Sequence, residues 1–326
     1  MAIGLRMRRG AISTLHRLGD DSVITRGVVS ATCRRRGVAC TFEPTYVALR
    51  ADDREVRLPL RHTLFAPYVA DHFDVFSTSV VPEDRDGVNV ADFSVPSLHH
   101  YLNLNADFEM PAFPEAIAFD EEYFKYGAPA RGALVFDLGA NIGLVTFALA
   151  RAVGPTGRVV SFEPDPGSLE YLRRNIARHD LAQVTVVPHA IAGEAGHLEF
   201  FAEGTITSGL ASARRDSVMT GSMGSVITVE ATTLTDAMAT HGTPAWIKMD
   251  IEGAEIDVIA ASREALAVAR PHMVIDTTHV VGNATTAARV ERILRGIGYT
   301  VRTEAPGGSL LTWAWCESTS ASDGSR

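Results

Sequence analysis

Lysine is almost absent from this chain: Lys125 and Lys248 stand beside 28 arginines. The bias reads as the codon preference of a GC-rich genome, and it singles out Lys248 as a position where lysine was kept. Cysteine is scarce as well. Cys33, Cys40 and Cys316 make an odd number with no C-x-x-C pair, which argues against a zinc or redox framework. No apolar run approaches the roughly 18–20 residues that span a bilayer. The start, Met1-Ala-Ile-Gly-Leu-Arg-Met-Arg-Arg-Gly, has charge but lacks the apolar stretch of a secretory signal. The expected location is the cytoplasm. Excess positive charge is missing too: the net charge of −9 argues against a general nucleic-acid binder.

What is present is an ordinary soluble composition, 46% hydrophobic and 21% charged, in a chain long enough for one large domain plus a smaller one. The first 36 residues run against the net charge, with Arg6, Arg8, Arg9, Arg17, Arg26, Arg34, Arg35 and Arg36 against Asp20 and Asp21. A solvated, poorly ordered terminus is the expectation; an arm that touches RNA or membrane is the alternative. Residues 41–75 hold strand-like pieces, Thr45–Leu49 and Val56–Leu60, with Asp52, Asp53 and Arg54 as the turn between them. Residues 80–114 are rich in Pro, Asp and Asn, with Phe93, Tyr101, Phe108 and Phe113 between. Residues 1–115 therefore read as a β-rich accessory region that packs against, or lids, the rest.

From about Phe113 strands and helices alternate. A helix is expected over 114–126, then strands at 133–138, 158–162, 184–187, 245–249 and 272–277. Helices are expected over 142–152, after Pro164-Asp-Pro-Gly167 with Leu169, Leu172 and Ile176 on one face, over 253–261 and over 286–296, from apolar residues at helical spacing. A short extra strand is placed at 197–201, and residues 204–225, rich in Gly, Ser, Thr and Met, are expected to be the least ordered. Two last strands, 300–303 and 310–315, flank Ala305-Pro-Gly-Gly308, a link that suits a hairpin. The alternation implies a parallel α/β sheet with right-handed crossovers, to which the hairpin adds one antiparallel strand. Residues 116–317 make this domain, and 318–326 a polar, disordered tail.

Two strand ends carry the chemistry. Ala133-Leu-Val-Phe-Asp137-Leu-Gly139-Ala140-Asn141-Ile-Gly143 runs from an apolar strand into an acid and two glycines four apart; Val159-Val-Ser-Phe-Glu163-Pro164-Asp165 ends a second strand in another acid. In an open α/β sheet such ends form a ligand crevice. A dinucleotide fingerprint needs glycines where Asn141 and Leu144 stand, so a nicotinamide oxidoreductase is disfavoured. The second constellation, Trp246-Ile-Lys248-Met-Asp250-Ile-Glu252-Gly253-Ala-Glu255, ends the fourth strand.

The D-x-G-x-x-x-G loop with its downstream strand-end Glu resembles the first two motifs of class I S-adenosylmethionine (SAM) methyltransferases. Together with I-K-x-D-x-E-G-x-E at 247–255, the pattern resembles the FkbM family of these enzymes over about residues 114–302. The resemblance implies SAM as cofactor, its amino-acid tail on the glycine loop and its ribose on Glu163. The implied contacts are Asp137, Gly139, Ala140, Asn141, Gly143, Glu163, Pro164, Asp165, Ala190 and Asp250. It also implies methyl transfer to a hydroxyl of a small natural product or sugar. N- or carboxyl-methylation, a non-catalytic SAM-binding partner and an RNA methyltransferase using the arginine-rich arm are the alternatives.

By position Asp250 is the expected base or orienting group, and by intrinsic pKa His279 is the expected base. Lys248 either reaches a carboxylate of the ligand or pairs with one in the protein. Glu252, Glu255 and Asp257 read as acids at a helix start. His189 lies where adenine is expected, with the backbone of Ala190 the more important contact. Asp250, Asp276 and His279 fall at adjacent strand ends and could ligate Mg²⁺; nothing in the spacing demands it, and no metal is expected.

Overall fold

The computed structural model describes residues 22–112, 122–202, 209–210, 225–305 and 309–317. The arginines before residue 22, most of the helix expected over 114–126, most of the 204–225 insertion and the tail lie outside them.

The first described element is a helix, α1 (Val23–Arg34), which opens where the Ser22 side chain accepts the Thr25 N–H at 3.0 Å. It buries Val29 and Cys33 completely. Arg26 lies over the Phe42 ring, and Arg36 pairs with Asp71. These arginines of the expected solvated arm are therefore part of a folded unit. A five-stranded sheet follows: β1 (Ala39–Phe42), β2 (Tyr46–Ala51), β3 (Arg54–Pro59), β4 (Glu83–Arg85) and β5 (Val88–Asp92), in the order β1-β2-β3-β5-β4. Strands β3 and β5 pair in parallel, which demands a crossover. Two short helices supply it, α2 (Ala66–Asp71) and α3 (Phe73–Thr78). A hairpin, β6 (Ser97–Tyr101) with β7 (Ala106–Met110), closes the region.

The second region is a seven-stranded sheet in the order β10-β9-β8-β15-β16-β20-β19. Its members are β8 (Leu134–Leu138), β9 (Arg158–Phe162), β10 (Val184–Val187), β15 (Trp246–Met249), β16 (His272–Asp276), β19 (Thr300–Glu304) and β20 (Leu311–Trp315). All neighbours are parallel except β20, antiparallel to both β16 and β19. Counted within this sheet the order is 3-2-1-4-5-7-6 with strand 7 reversed, which is the class I methyltransferase sheet. The helices of this region are α4 (Leu144–Val153), α5 (Pro166–Arg178), α6 (Leu234–His241), α7 (Glu255–Ala261), α8 (Arg263–Ala269) and α9 (Ala287–Gly296). A side sheet joins β11 (Ala190–Ile191), β12 (Gly196–Ala202), β13 (Gly209–Leu210) and β14 (Ser225–Thr232). A small hairpin of β17 (Val280–Val281) and β18 (Ala284–Thr285) precedes α9.

Side chains alternate along each strand. Phe136, Leu138, Val160, Phe162, Ile247, Met249, Met273 and Ile275 fill one core. Val135, Val159, Trp246, Val274 and Trp313 face the other, which also holds α4 and the core of the N-terminal region. Helix α4 is apolar almost all round, and eight of its ten residues are buried, as expected of a helix covered on both sides. Its outer cover is the β6–β7 hairpin: Phe108 meets Phe147 edge-to-face at 5.3 Å. Buried Asn175 of α5 fastens the hairpin, accepting the Glu109 N–H at 2.8 Å and donating to the carbonyls of Glu109 and Ile142, both at 2.9 Å. The accessory region thus packs against the larger sheet's helices.

Candidate active site

In-register pairing puts Ser161, Asp137 and Lys248 side by side across β9, β8 and β15, all facing α4. Asp137 is fully buried. It accepts from Thr146 of α4 at 2.6 Å and pairs with Lys248 Nζ at 3.3 Å. Lys248, only 2% exposed, also donates to the Gly139 carbonyl. Asp137 was expected as a cofactor contact, and Lys248, a candidate catalytic group, either at a carboxylate of the ligand or paired with one in the protein. The structure shows the second arrangement: the two lie beneath the glycine loop, where they pair with each other and hold its first carbonyl. A buried charge needs such a partner.

The loop lies above this pair. Gly139 N and Ala140 N both donate to Phe162 O at 3.0 Å. Gly139 has φ +78, and a Cβ there would sit 1.9 Å from the Asp250 carbonyl. Glycine lets the tip of β15 close against the tip of β8. Asn141 takes φ 49, which turns its N–H onto Glu163 Oε2 at 2.7 Å. Gly143, φ +95, starts α4; a Cβ on it would press on Leu172 of α5. Glu163 Oε1 accepts the Asp165 N–H at 2.8 Å. Burial pushes the Glu163 carboxyl up to about 7 against these two backbone donors. Asp165, expected to touch the cofactor, caps α5 by accepting from Gly167 N and Ser168 N. Pro164 is half-buried beside it. Ala190 is buried and paired with Ala231, while His189 is tied to Glu230 at 2.8 Å.

The other half of the site is the tip of β15 against the tip of β16. Asp250 is held by its N–H to Leu138 O at 3.0 Å. The backbone then turns through Glu252, φ 57, and Gly253, φ 103. Glu255, fully buried, accepts the N–H groups of Gly253 (3.0 Å) and Ile251 (3.3 Å) through Oε1. The same oxygen meets His279 Nδ1 at 3.0 Å. His279 Nε2 faces Asp250 Oδ1 at 3.6 Å and Glu252 Oε2 at 3.5 Å. Burial opposes charge on His279, but Glu255 and Glu252 outweigh it and raise its pKa well above the ordinary value. The imidazole expected to act as a base thus sits among three carboxylates that favour its protonated form. Burial likewise opposes charge on Glu255, yet His279 and the backbone donors keep it below the usual carboxylate range. Asp276 accepts from Thr278 N at 2.7 Å; burial, then the charge of Asp250, pushes it up to about 6.

Ligand-donor atoms of Asp250, Glu252 and His279 lie within 4.8 Å of one another. The acid in this group beside Asp250 is Glu252, where the sequence suggested Asp276. Glu255 also departs from its reading as a simple helix-dipole acid, because its partner lies 24 positions along the chain on another strand end. Thr146 was missed as well; a lone hydroxyl in a helix apolar but for Arg151 was its only mark.

This pocket fits SAM on its own donor set. Each Glu163 oxygen holds one backbone N–H and keeps acceptor capacity for a ribose hydroxyl.

The family model of the methyltransferase FkbM domain matches residues 137–301. Among solved structures, an FkbM methyltransferase from Methylobacillus flagellatus KT is 18% identical with a TM-score of 0.45, covering 60% of this chain and 46% of that one. A precorrin-6y C5,15-methyltransferase from Geobacter metallireducens GS-15 is 13% identical with a TM-score of 0.38, covering 57% of this chain and 82% of that one. An arsenite methyltransferase of Halobacterium salinarum is 36% identical over 73 residues, 22% of this chain and 18% of its own length. The chain thus spans less than half of the Methylobacillus protein and less than a fifth of the Halobacterium one. The family model, which takes in both the glycine loop and the acidic tip, covers about half of the sequence: the chain belongs to the methyltransferase FkbM domain family.

Proposed function

We propose that this chain is a SAM-dependent O-methyltransferase acting on a hydroxyl of a small natural product or sugar. One observation carries the reading: Glu163 at the tip of β9, bonded to the glycine loop through the Asn141 N–H, and Asp250 at the tip of β15, whose carbonyl packs against Gly139, meet on the same loop. Bound SAM would supply a methyl already activated by its sulfonium, so the protein need only align an acceptor oxygen and manage its proton. Glu163 orients the ribose. The backbone at Gly139–Asn141 receives the amino-acid tail, and the Asp137–Lys248 pair keeps that backbone in place. Asp250, partly exposed, orients the acceptor's O–H and takes its proton. The excess of carboxylates at this tip also suits an amine that arrives protonated and gives that proton to Asp250 before its lone pair takes the methyl, which makes N-methylation the second reading.

The test is calorimetric titration with S-adenosylhomocysteine (SAH), with NAD as control, followed by a labelled-methyl screen of hydroxyl and amine acceptors. SAH binding without NAD binding is expected. A folded protein that binds no SAH would end the reading, and label found only on amines would transfer it to N-methylation.

A further inference from the structure

We infer that Asn175 is a positioning residue for the cofactor loop, through which the β6–β7 hairpin of the accessory region sets how tightly SAM is held. Its buried carboxamide is saturated and directional. Oδ1 accepts the Glu109 N–H at 2.8 Å, and Nδ2 donates to the carbonyls of Glu109 and Ile142, both at 2.9 Å. One N–H and two carbonyls as partners fix which end of the amide is oxygen. Toward the hairpin, the amide meets both backbone groups of one residue, as a neighbouring strand would. It occupies the edge of β7 that faces away from β6. Toward the larger sheet, its other N–H reaches a carbonyl of the 139–143 loop itself.

The grip falls where the loop takes its shape. The Ile142 carbonyl and the Gly143 N–H belong to one planar peptide unit, and that N–H closes the turn onto the Ala140 carbonyl at 2.9 Å. Holding one side of the plane holds the other. The Phe147 N–H takes the Gly143 carbonyl, so the Ile142 carbonyl stands one step ahead of that bond and is left for Asn175. Leu172 lies three residues before Asn175, on the same face of α5, and its side chain fills the space beside Gly143, 2.7 Å from where a Cβ would stand. Helix α5 therefore meets the loop at two adjacent points, one apolar and one polar. The hairpin has other contacts here: Phe108 packs on Phe147 and His179, and the Leu104 carbonyl accepts from Arg151 at 2.9 Å. Those meet the body of α4 and the end of α5, whereas Asn175 meets the loop. That the loop carries SAM rests on the proposed function; the link between hairpin and loop does not.

The test follows hydrogen exchange of the full chain by mass spectrometry at residues 139–143, alongside calorimetric titration with SAH. Asn175→Leu nearly keeps the side chain's size and removes all three hydrogen bonds. Loop exchange should quicken about tenfold and SAH affinity should fall about tenfold, while exchange in β15, which reports global opening, changes far less. Asn175→Ser, which leaves room for water at the two carbonyls, takes its place if the leucine variant does not fold. Phe108→Leu loosens the hairpin and leaves Asn175 intact. It should quicken loop exchange about threefold on its own and add nothing to Asn175→Leu. Loop exchange or SAH affinity unmoved by the Asn175 variant overturns the inference, as does equal quickening in the loop and β15, which would make Asn175 a purely structural residue. A full Phe108→Leu effect on top of Asn175→Leu overturns it too, because the coupling would then run through α4. Faster loop exchange in the variant, with a wild type that binds no SAH, would keep the link between hairpin and loop and defeat the methyltransferase reading instead.

Discussion

The two halves of the pocket treat negative charge in opposite ways. Beneath and beside the glycine loop every carboxylate is answered: Asp137 by Lys248 and Thr146, Glu163 by two backbone N–H groups, Asp165 by the start of α5. At the tips of β15 and β16, Asp250, Glu252 and Glu255 gather around one imidazole, with Asp276 raised by Asp250 close by. The first arrangement is complete in itself and reads as a preformed cradle. The second carries more acid than its one cation can balance, which suits a place where charge arrives with ligands.

The contrast can be broken first at Lys248. Lys248→Met leaves Asp137 buried with a hydroxyl as its remaining partner, and should cost about 3–5 kcal/mol in urea unfolding. Adding Asp137→Asn should recover part of that, and a cost below about 1 kcal/mol would mean the pair does not hold the loop. Gly139→Ala comes next. Its methyl meets the Asp250 carbonyl and its φ is left-handed, so about 2–3 kcal/mol of stability should be lost, together with measurable SAH binding. Retained affinity would show that the loop and the β15 tip move independently.

Asp250→Asn sharpens the comparison from the acidic side: turnover should fall about 100-fold while SAH affinity stays within about threefold. Equal loss of both would make Asp250 a cofactor ligand rather than the acceptor's partner.

The smallest effect comes from Glu163. Its folded pKa of about 7 lies above the ordinary 4.5, so its contribution to fold stability is fully present below 4.5 and is lost as pH rises through 7. Ligand binding runs the other way, since the ionised form accepts ribose hydroxyls. SAH affinity should rise about tenfold from pH 6 to pH 8, and Glu163→Gln should flatten the profile. A wild-type profile already flat would separate Glu163 from the ribose.

The larger sheet was legible in the sequence because its strands are short apolar runs ending in acids or polar turns; all seven lie within a residue or so of their expected places. The N-terminal helices were not. Helix α1 reads Val-Ile-Thr-Arg-Gly-Val-Val, a β-branched run whose helical state is imposed by packing rather than propensity. Strand β14 and α6 were passed over although Thr233 and Asp236 carry a capping pair, with the Asp236 N–H on Thr233 Oγ1 at 3.0 Å. At the site, the loop glycines and strand-end acids were visible, but what each acid touches was not. Asp165 could be a ligand or a cap, and Lys248 a reactant or a brace, on the same letters. Register across β8, β9 and β15 decides between them, and register is a property of pairing that one strand does not carry.

The clamp at Asn175 has a consequence for the order in which the chain is made. Domains generally form N-terminal first during synthesis, yet the β6–β7 hairpin is finished by residues that come later. The N–H of Glu109 waits for a side chain 66 positions downstream, and Phe108 waits for Phe147 and His179. Until α5 leaves the ribosome, the hairpin carries an uncovered aromatic face. The interval between these residues is thus a window of vulnerability, in which a chaperone or a pause in translation would have its greatest effect on the yield of folded protein.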